Sequence, residues 1–235
     1  MYGRSVQAHR TTKCTAAGHR ELTVQVSKQP PIADLHQMLI HYFEASVARG
    51  TKFLPGQTVQ IGWSLLRLCD RSDGTLGVQE RELTPEVQWT EQVDRAIVDV
   101  WLQKEVAASV GLIDHLVFPR QDDIAFVADC ALKKAQLVMT RVPDDELPDG
   151  FSGWMLACAE DHDHGDRRQV PLLGVAAMQP GLVQLFALPH GTSVLVLYVE
   201  KPDAPEGMLR IEPHVFRDGE EIVPQRGSYL AALQG

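Results

Sequence analysis

Hydrophobic and polar positions alternate with several different periods along the 235 residues, and each change of period predicts an element. Leu22 to Val26 reads as a short strand stopped by Pro30 and Pro31. From Asp34, Leu35, Met38, Leu39, Tyr42, Phe43 and Val47 recur at helical spacing, so an amphipathic helix is expected there, ended by Gly50. Two strand-like runs, 59–69 and 75–83, flank the turn at Asp70, Arg71, Ser72, Asp73 and Gly74, which predicts one hairpin. Gln79, Glu80, Arg81 and Glu82 put Glu80 and Glu82 on one side of the second strand, facing water. The longest helix is expected over 91–110, burying Val93, Ile97, Val100, Trp101 and either Val106 or Ala107, and ending at Gly111.

The second half carries its own pattern. Strands are expected at 124–130, 136–142, 153–159, 192–200 and 208–215. An apolar helix containing Leu172, Leu173, Val175, Ala176 and Met178 breaks near Pro180, and Pro189, His190 and Gly191 turn the chain into the VLVLYV strand. This implies an α+β fold of two small domains, each a mainly antiparallel sheet with helices packed on one face. The expected division is a mobile tail over 1–20, an N-terminal domain over 21–118 and a C-terminal domain over 119–235. Residues 112–123 read as a linker and 226–235 as a loosely held tail.

Composition narrows the function. A hydrophobic content of 44% suits a globular protein, which argues against disorder. Residues 1–30 carry a charge of +4 and the remainder −13, within a net −9. So acidic a body repels phosphate backbones, so direct nucleic-acid binding is not expected and a basic protein partner is. No apolar run approaches the roughly 18–20 residues that span a bilayer, and the N-terminus lacks the apolar core of a signal peptide, so a cytoplasmic protein is expected.

Motifs for catalysis are missing. There is no Gly-x-Ser-x-Gly elbow and no phosphate-binding glycine loop, so no enzyme, no catalytic residue and no cofactor is expected. Cys14, Cys69, Cys130 and Cys158 are widely spaced and read as reduced, mostly buried thiols. Within Glu160, Asp161, His162, Asp163, His164, Gly165 and Asp166, two histidines and four carboxylates crowd together. His-x-His without a second ligand group at a recognised spacing reads as an exposed acidic turn, so no metal is expected; a metal-dependent hydrolase using His162 and His164 is the weakest of the readings. The strongest surface signal is charge: Asp144, Asp145, Glu146 and Asp149 precede the strand holding Gly153 and Trp154, and Glu160, Asp161, Asp163 and Asp166 follow it. These carboxylates, with Glu80 and Glu82 as a further acidic surface, are the candidate partner-binding residues. Trp154 is expected inside the fold.

Ser152, Gly153 and Trp154, the acidic turn after them, an apolar helix interrupted at Pro180 and Gly181, and Leu185 to Pro189 with Gly191 form one long ordered pattern. Over about 100 residues, Ile124 to about Val223, it resembles a domain of immunity proteins from bacterial polymorphic-toxin and type VI secretion systems. The first unit resembles an accessory domain of longer members, through FLPGQTVQIGW and the Gln-Glu-Arg-Glu strand. That resemblance implies a non-enzymatic antitoxin, held in the cytoplasm, that neutralises a cognate secreted toxin. The implied partner is a basic nuclease, in particular a His-containing DNA-degrading domain carried by a secretion spike-tip protein. The alternative is a regulatory or scaffold protein that uses the same surface for an endogenous partner.

Overall fold

The computed structural model describes residues 6–28, 30, 32–84, 86–131, 135–200 and 209–234, with Glu146 described by its backbone alone. Contacts divide the chain into Met1–Trp101 and Leu102–Gly235.

The first unit is a six-stranded sheet. Strands β1 (Val6–Arg10), β2 (Leu22–Ser27), β3 (Thr58–Ile61), β4 (Ser64–Asp70), β5 (Leu76–Arg81) and β6 (Trp89–Thr90) lie in the order β1-β2-β5-β4-β3, with β6 also on β5. Among these strands β2 and β5 run parallel and the other pairs antiparallel. Helix α1 (Gln37–Ala48) supplies Leu39, Phe43 and Val47, and the start of helix α2 (Asp94–Ser109) with the residue before it supplies Val93, Ile97 and Val100, to the core built on Val24, Leu66, Leu68 and Val78.

The run 59–69, expected as one strand, is folded back on itself. Ile61 pairs with Ser64, so Gly62 and Trp63 form a two-residue turn, with Gly62 at φ 59° in the first central position. A glycine there suits the hairpin twist. The cue lay within the apolar run as Gly62 itself.

Of residues 6–20, expected as a mobile tail, Val6–Arg10 instead form a strand of the sheet. Strand β1 pairs with β2 from Val6–Ser27 to Arg10–Thr23. Two carboxylates then hold the following segment. Glu21, 6% exposed, accepts bonds from Thr11 Oγ1 (2.5 Å), Thr15 N (2.8 Å), Thr15 Oγ1 (2.9 Å) and Cys14 N (3.3 Å). Glu44 on α1 accepts from Thr12 N at 2.8 Å and meets Lys13 Nζ at 3.5 Å. Few large apolar residues hold this segment, so its order is polar and invisible to a hydrophobic-pattern reading.

Glu80 also departs from expectation. It is 6% exposed, and its Oε2 accepts from Ala96 N at 2.7 Å, within the first turn of α2. A carboxylate at a helix N-terminus satisfies orphan N–H groups and favours the macrodipole. Glu82 follows β5, half-buried. Asp99 on α2 accepts from Trp63 Nε1 at 3.1 Å.

The second unit is a seven-stranded sheet in the order β10-β7-β9-β8-β11-β12-β13. Its strands are β7 (Ile124–Ala128), β8 (Gln136–Arg141), β9 (Phe151–Cys158), β10 (Arg167–Pro171), β11 (Thr192–Glu200), β12 (Leu209–Arg217) and β13 (Glu220–Glu221). Only β7 and β9 are parallel; the other pairs are antiparallel. Helix α3 (Leu172–Met178) gives way to a 3-10 turn over Pro180–Leu185, as the proline requires. Residues 201–208, including the expected 202–207 loop, lie outside the described residues.

Two segments expected to be loose are packed. Leu112 and Gln121 of the expected linker are buried. In the C-terminal stretch, helix α4 (Tyr229–Leu233) buries Leu230, whose N–H donates to Ser109 Oγ at 3.1 Å, while the Tyr229 hydroxyl donates to Gln184 Oε1 at 2.8 Å. A single buried leucine anchors it, too little for periodicity to register.

Candidate functional site

Strand β9 organises the second unit, and the residues Ser152, Gly153 and Trp154 account for its shape. The β7–β9 register runs Ile124–Phe151 and then Phe126–Met155, so β9 spends two extra residues in a bulge. Gly153 takes φ 79° there. Ser152 Oγ donates to Ile124 O at 2.9 Å and accepts from Trp154 N at 3.2 Å, which closes the bulge. Trp154 is turned wholly inward, and its Nε1 donates to Phe186 O at 3.0 Å. A side chain at Gly153 meets Leu147 Cδ1 at 3.1 Å, His190 Nδ1 at 3.3 Å and Val142 O at 3.3 Å. Positive φ and crowding together predict that Gly153→Ala costs about 2–3 kcal/mol, read as a lowered denaturant midpoint.

Arg141, the last residue of β8, is 2% exposed beneath this bulge. Its Nε donates to Ser152 O at 3.0 Å and its Nη1 to Val117 O, Phe186 O and Leu188 O at 2.8, 3.2 and 2.5 Å. Its Cζ lies 5.7 Å from the Trp154 ring centroid. Burial pulls the guanidinium down to about 10, with Asp123 and Asp144 opposing, so it remains charged at neutral pH.

The acidic loops lie at the two ends of β9. Before it, Asp144, Asp145 and Asp149 are exposed, and Asp144–Glu146 forms a 3-10 turn; the side chain of Glu146 lies outside the described residues. His190 Nδ1 lies 2.8 Å from Val142 O, and its Nε2 lies 3.7 Å from Asp144 Oδ1. After β9, Glu160, Asp161, Asp163 and Asp166 are exposed. A strand of this length separates the two groups by roughly 20–25 Å, so they are two patches. They differ in balance. Arg141, near the first patch, is buried with its guanidinium spent on carbonyls, whereas Arg167 and Arg168 on β10 are exposed directly after the second, with Arg168 Nη2 2.7 Å from Asp129 Oδ1. Glu80, in the other unit and buried, joins neither, and Glu82 is half-buried beyond β5.

The second loop also holds a cluster that sequence spacing concealed. Cys130, in the turn after β7, and Cys158, the last residue of β9, meet His162 and His164 with all four ligand atoms within 4.8 Å of one another. Cys158 Sγ lies 3.0 Å from His162 Nε2 and 3.7 Å from His164 Nδ1; Cys130 Sγ lies 3.3 Å from His164 Nδ1. The imidazole centroids are 4.6 Å apart. The second ligand group judged missing from the sequence is supplied by the parallel β7–β9 pair, which brings two distant cysteines to one end of the sheet.

Among the described residues no helix is long and apolar enough to cross a membrane. Residues 102–203 match the family model of the Imm33-like domain, an immunity-protein-like family. The match opens where the second unit opens and ends just after β11, whereas the resemblance read from the sequence was set at 124–223. No curated protein and no solved structure matches the chain significantly.

Proposed function

We propose that this chain is an immunity protein: it binds a cognate secreted toxin and neutralises it in the producing cell. The similarity of residues 102–203 to the Imm33-like domain carries the reading. The class of partner follows from charge. A net −9 and an exposed Asp144, Asp145 and Asp149 patch favour a basic surface, such as the DNA-gripping groove of a type VI secretion nuclease.

The acidic patches act as rim charge, which speeds encounter and leaves the bound state to apolar contacts. Asp144→Asn with Asp145→Asn therefore slows association with the toxin domain encoded beside the gene by several-fold at low salt, flattens the salt dependence and leaves dissociation little changed. Asp161→Asn with Asp163→Asn has a smaller effect, because the exposed Arg167 already offsets that patch. Stopped-flow association at two salt concentrations checks both. If the wild-type chain neither binds that toxin nor protects cells expressing it, the immunity reading fails. Binding with rates unchanged in both double variants moves the interface elsewhere.

A further inference from the structure

The four-residue cluster at the end of β7 and β9 has the composition and closure of a metal centre. Cys130, Cys158, His162 and His164 follow the spacing C-x27-C-x3-H-x-H, and the first interval is too long to announce a zinc motif. In space the interval vanishes: β7 and β9 are parallel neighbours, so their ends lie side by side. We propose that Cys130 Sγ, Cys158 Sγ, His162 Nε2 and His164 Nδ1 bind one zinc ion in a structural Cys2His2 site.

Three observations carry it. The donors come in the two-thiolate, two-imidazole set that suits tetrahedral zinc. Their sulfur–nitrogen separations of 3.0, 3.3 and 3.7 Å scatter about the sulfur–nitrogen edge of such a tetrahedron, about 3.5 Å for bonds of ordinary length, and all four ligand atoms lie within 4.8 Å of one another. The outer shell is also in place: His162 Nδ1 lies 2.7 Å from Asp163 O, and donation to that carbonyl leaves Nε2 bare and aimed at Cys158. Asp163 Oδ1 in turn accepts from Gly165 N at 3.0 Å and shapes the turn between the ligands. On binding, each thiol gives its proton to solvent, so two thiolates balance the zinc charge. With four protein ligands there is no open position for a reacting water, so the site is structural and not hydrolytic.

Topology supplies the role. The sheet order places β10 beside β7, so the 159–166 connection must pass the end of β7 to reach its place. The ion ties that crossing loop to the ends of both strands. It would also fix the positions of Asp161 and Asp163, but the site stands whether or not the partner is a toxin.

The test uses the full chain purified with reduced thiols. Elemental analysis is expected to give one zinc per chain, and cobalt substitution a thiolate-to-metal charge-transfer band with tetrahedral ligand-field intensity. His162→Ala with His164→Ala, at exposed and half-exposed loop positions, should keep the fold and weaken zinc binding beyond the ~10–100-fold cost of losing an outer-shell partner. Chelation should lower the melting temperature of the wild type and leave that variant unmoved. His41→Ala should bind zinc as the wild type does. Three results overturn the proposal: reduced wild-type protein that takes up no zinc at micromolar metal, a double variant with unchanged zinc affinity, or a cobalt spectrum without the thiolate band. A Cys130–Cys158 disulfide whose reduction restores no zinc binding counts against it equally.

Discussion

Arg141→Ala is expected to destabilise the second unit by about 4 kcal/mol or more, enough to leave much of it unfolded at ambient temperature. The guanidinium is enclosed and donates to four carbonyls drawn from three segments: Ser152 in the bulge, Val117 before the sheet, and Phe186 and Leu188 after the 3-10 turn. Truncation removes this donor from the Ser152, Val117 and Leu188 carbonyls, leaves Phe186 O with Trp154 Nε1 alone, and opens a void beside Trp154. Arg141→Lys should recover little, because one ammonium on a flexible stem cannot reproduce a planar fork directed at several acceptors. Denaturant unfolding of both variants, with far-ultraviolet dichroism, measures the loss. A loss below about 1 kcal/mol in Arg141→Ala would mean that the clamp is incidental.

Stability should also peak near pH 4, with opposite causes on the two limbs. Burial raises Glu80 to about 7, against the pull of Arg95 and the Ala96 N–H, and raises Asp99 to about 6, against the Trp63 indole. A carboxyl held above its unfolded value of 4.5 or 3.8 is costly when ionised, so this penalty is complete above pH 7 and fades as pH falls toward 4.5. Glu21 works the other way. Burial would raise it, but the bonds from Thr11, Thr15 and Cys14 prevail and bring it to about 2. Its stabilisation is complete above 4.5 and is lost as pH falls toward 2. Glu80→Gln should therefore gain roughly 2 kcal/mol on the wild type at pH 8 and nothing at pH 4, while Glu21→Gln should lose stability at pH 7 and match the wild type near pH 2. Denaturant midpoints at pH 2, 4 and 8 resolve the limbs, and a wild-type profile still rising from pH 4 to pH 8 would refute the assignment to Glu80 and Asp99.

What the sequence disclosed and what it hid follow a physical division. The strand expected at 192–200 is β11 to the residue, and the helix break at Pro180 is real, because both are written in apolar period and in the geometry of proline. The features missed are held by polar groups. Glu21 fastens residues 11–15 through hydrogen bonds, and Glu80 looks solvated by alternation yet caps a helix fourteen or more residues downstream. The site divides the same way. Runs of carboxylates are legible as exposed charge, so the loops could be located, but their separation by the length of β9 could not. The cysteine–histidine cluster depends on which strands pair in parallel, a non-local fact that spacing along a chain does not encode.

The end of the matched segment falls between the two partners of one ladder. Strand β12 covers β11 from Thr192–Arg217 to Glu200–Leu209, yet residues 102–203 include β11 and omit β12. A fragment cut at that limit would present nine residues of β11, among them Val194 and Val196, with one row of N–H and C=O groups bare. Such an edge recruits whatever extended chain it meets, including a second copy of itself. In this chain the resembling segment thus leaves its own sheet unfinished: the outer edge of β11 is closed by a strand beyond its border.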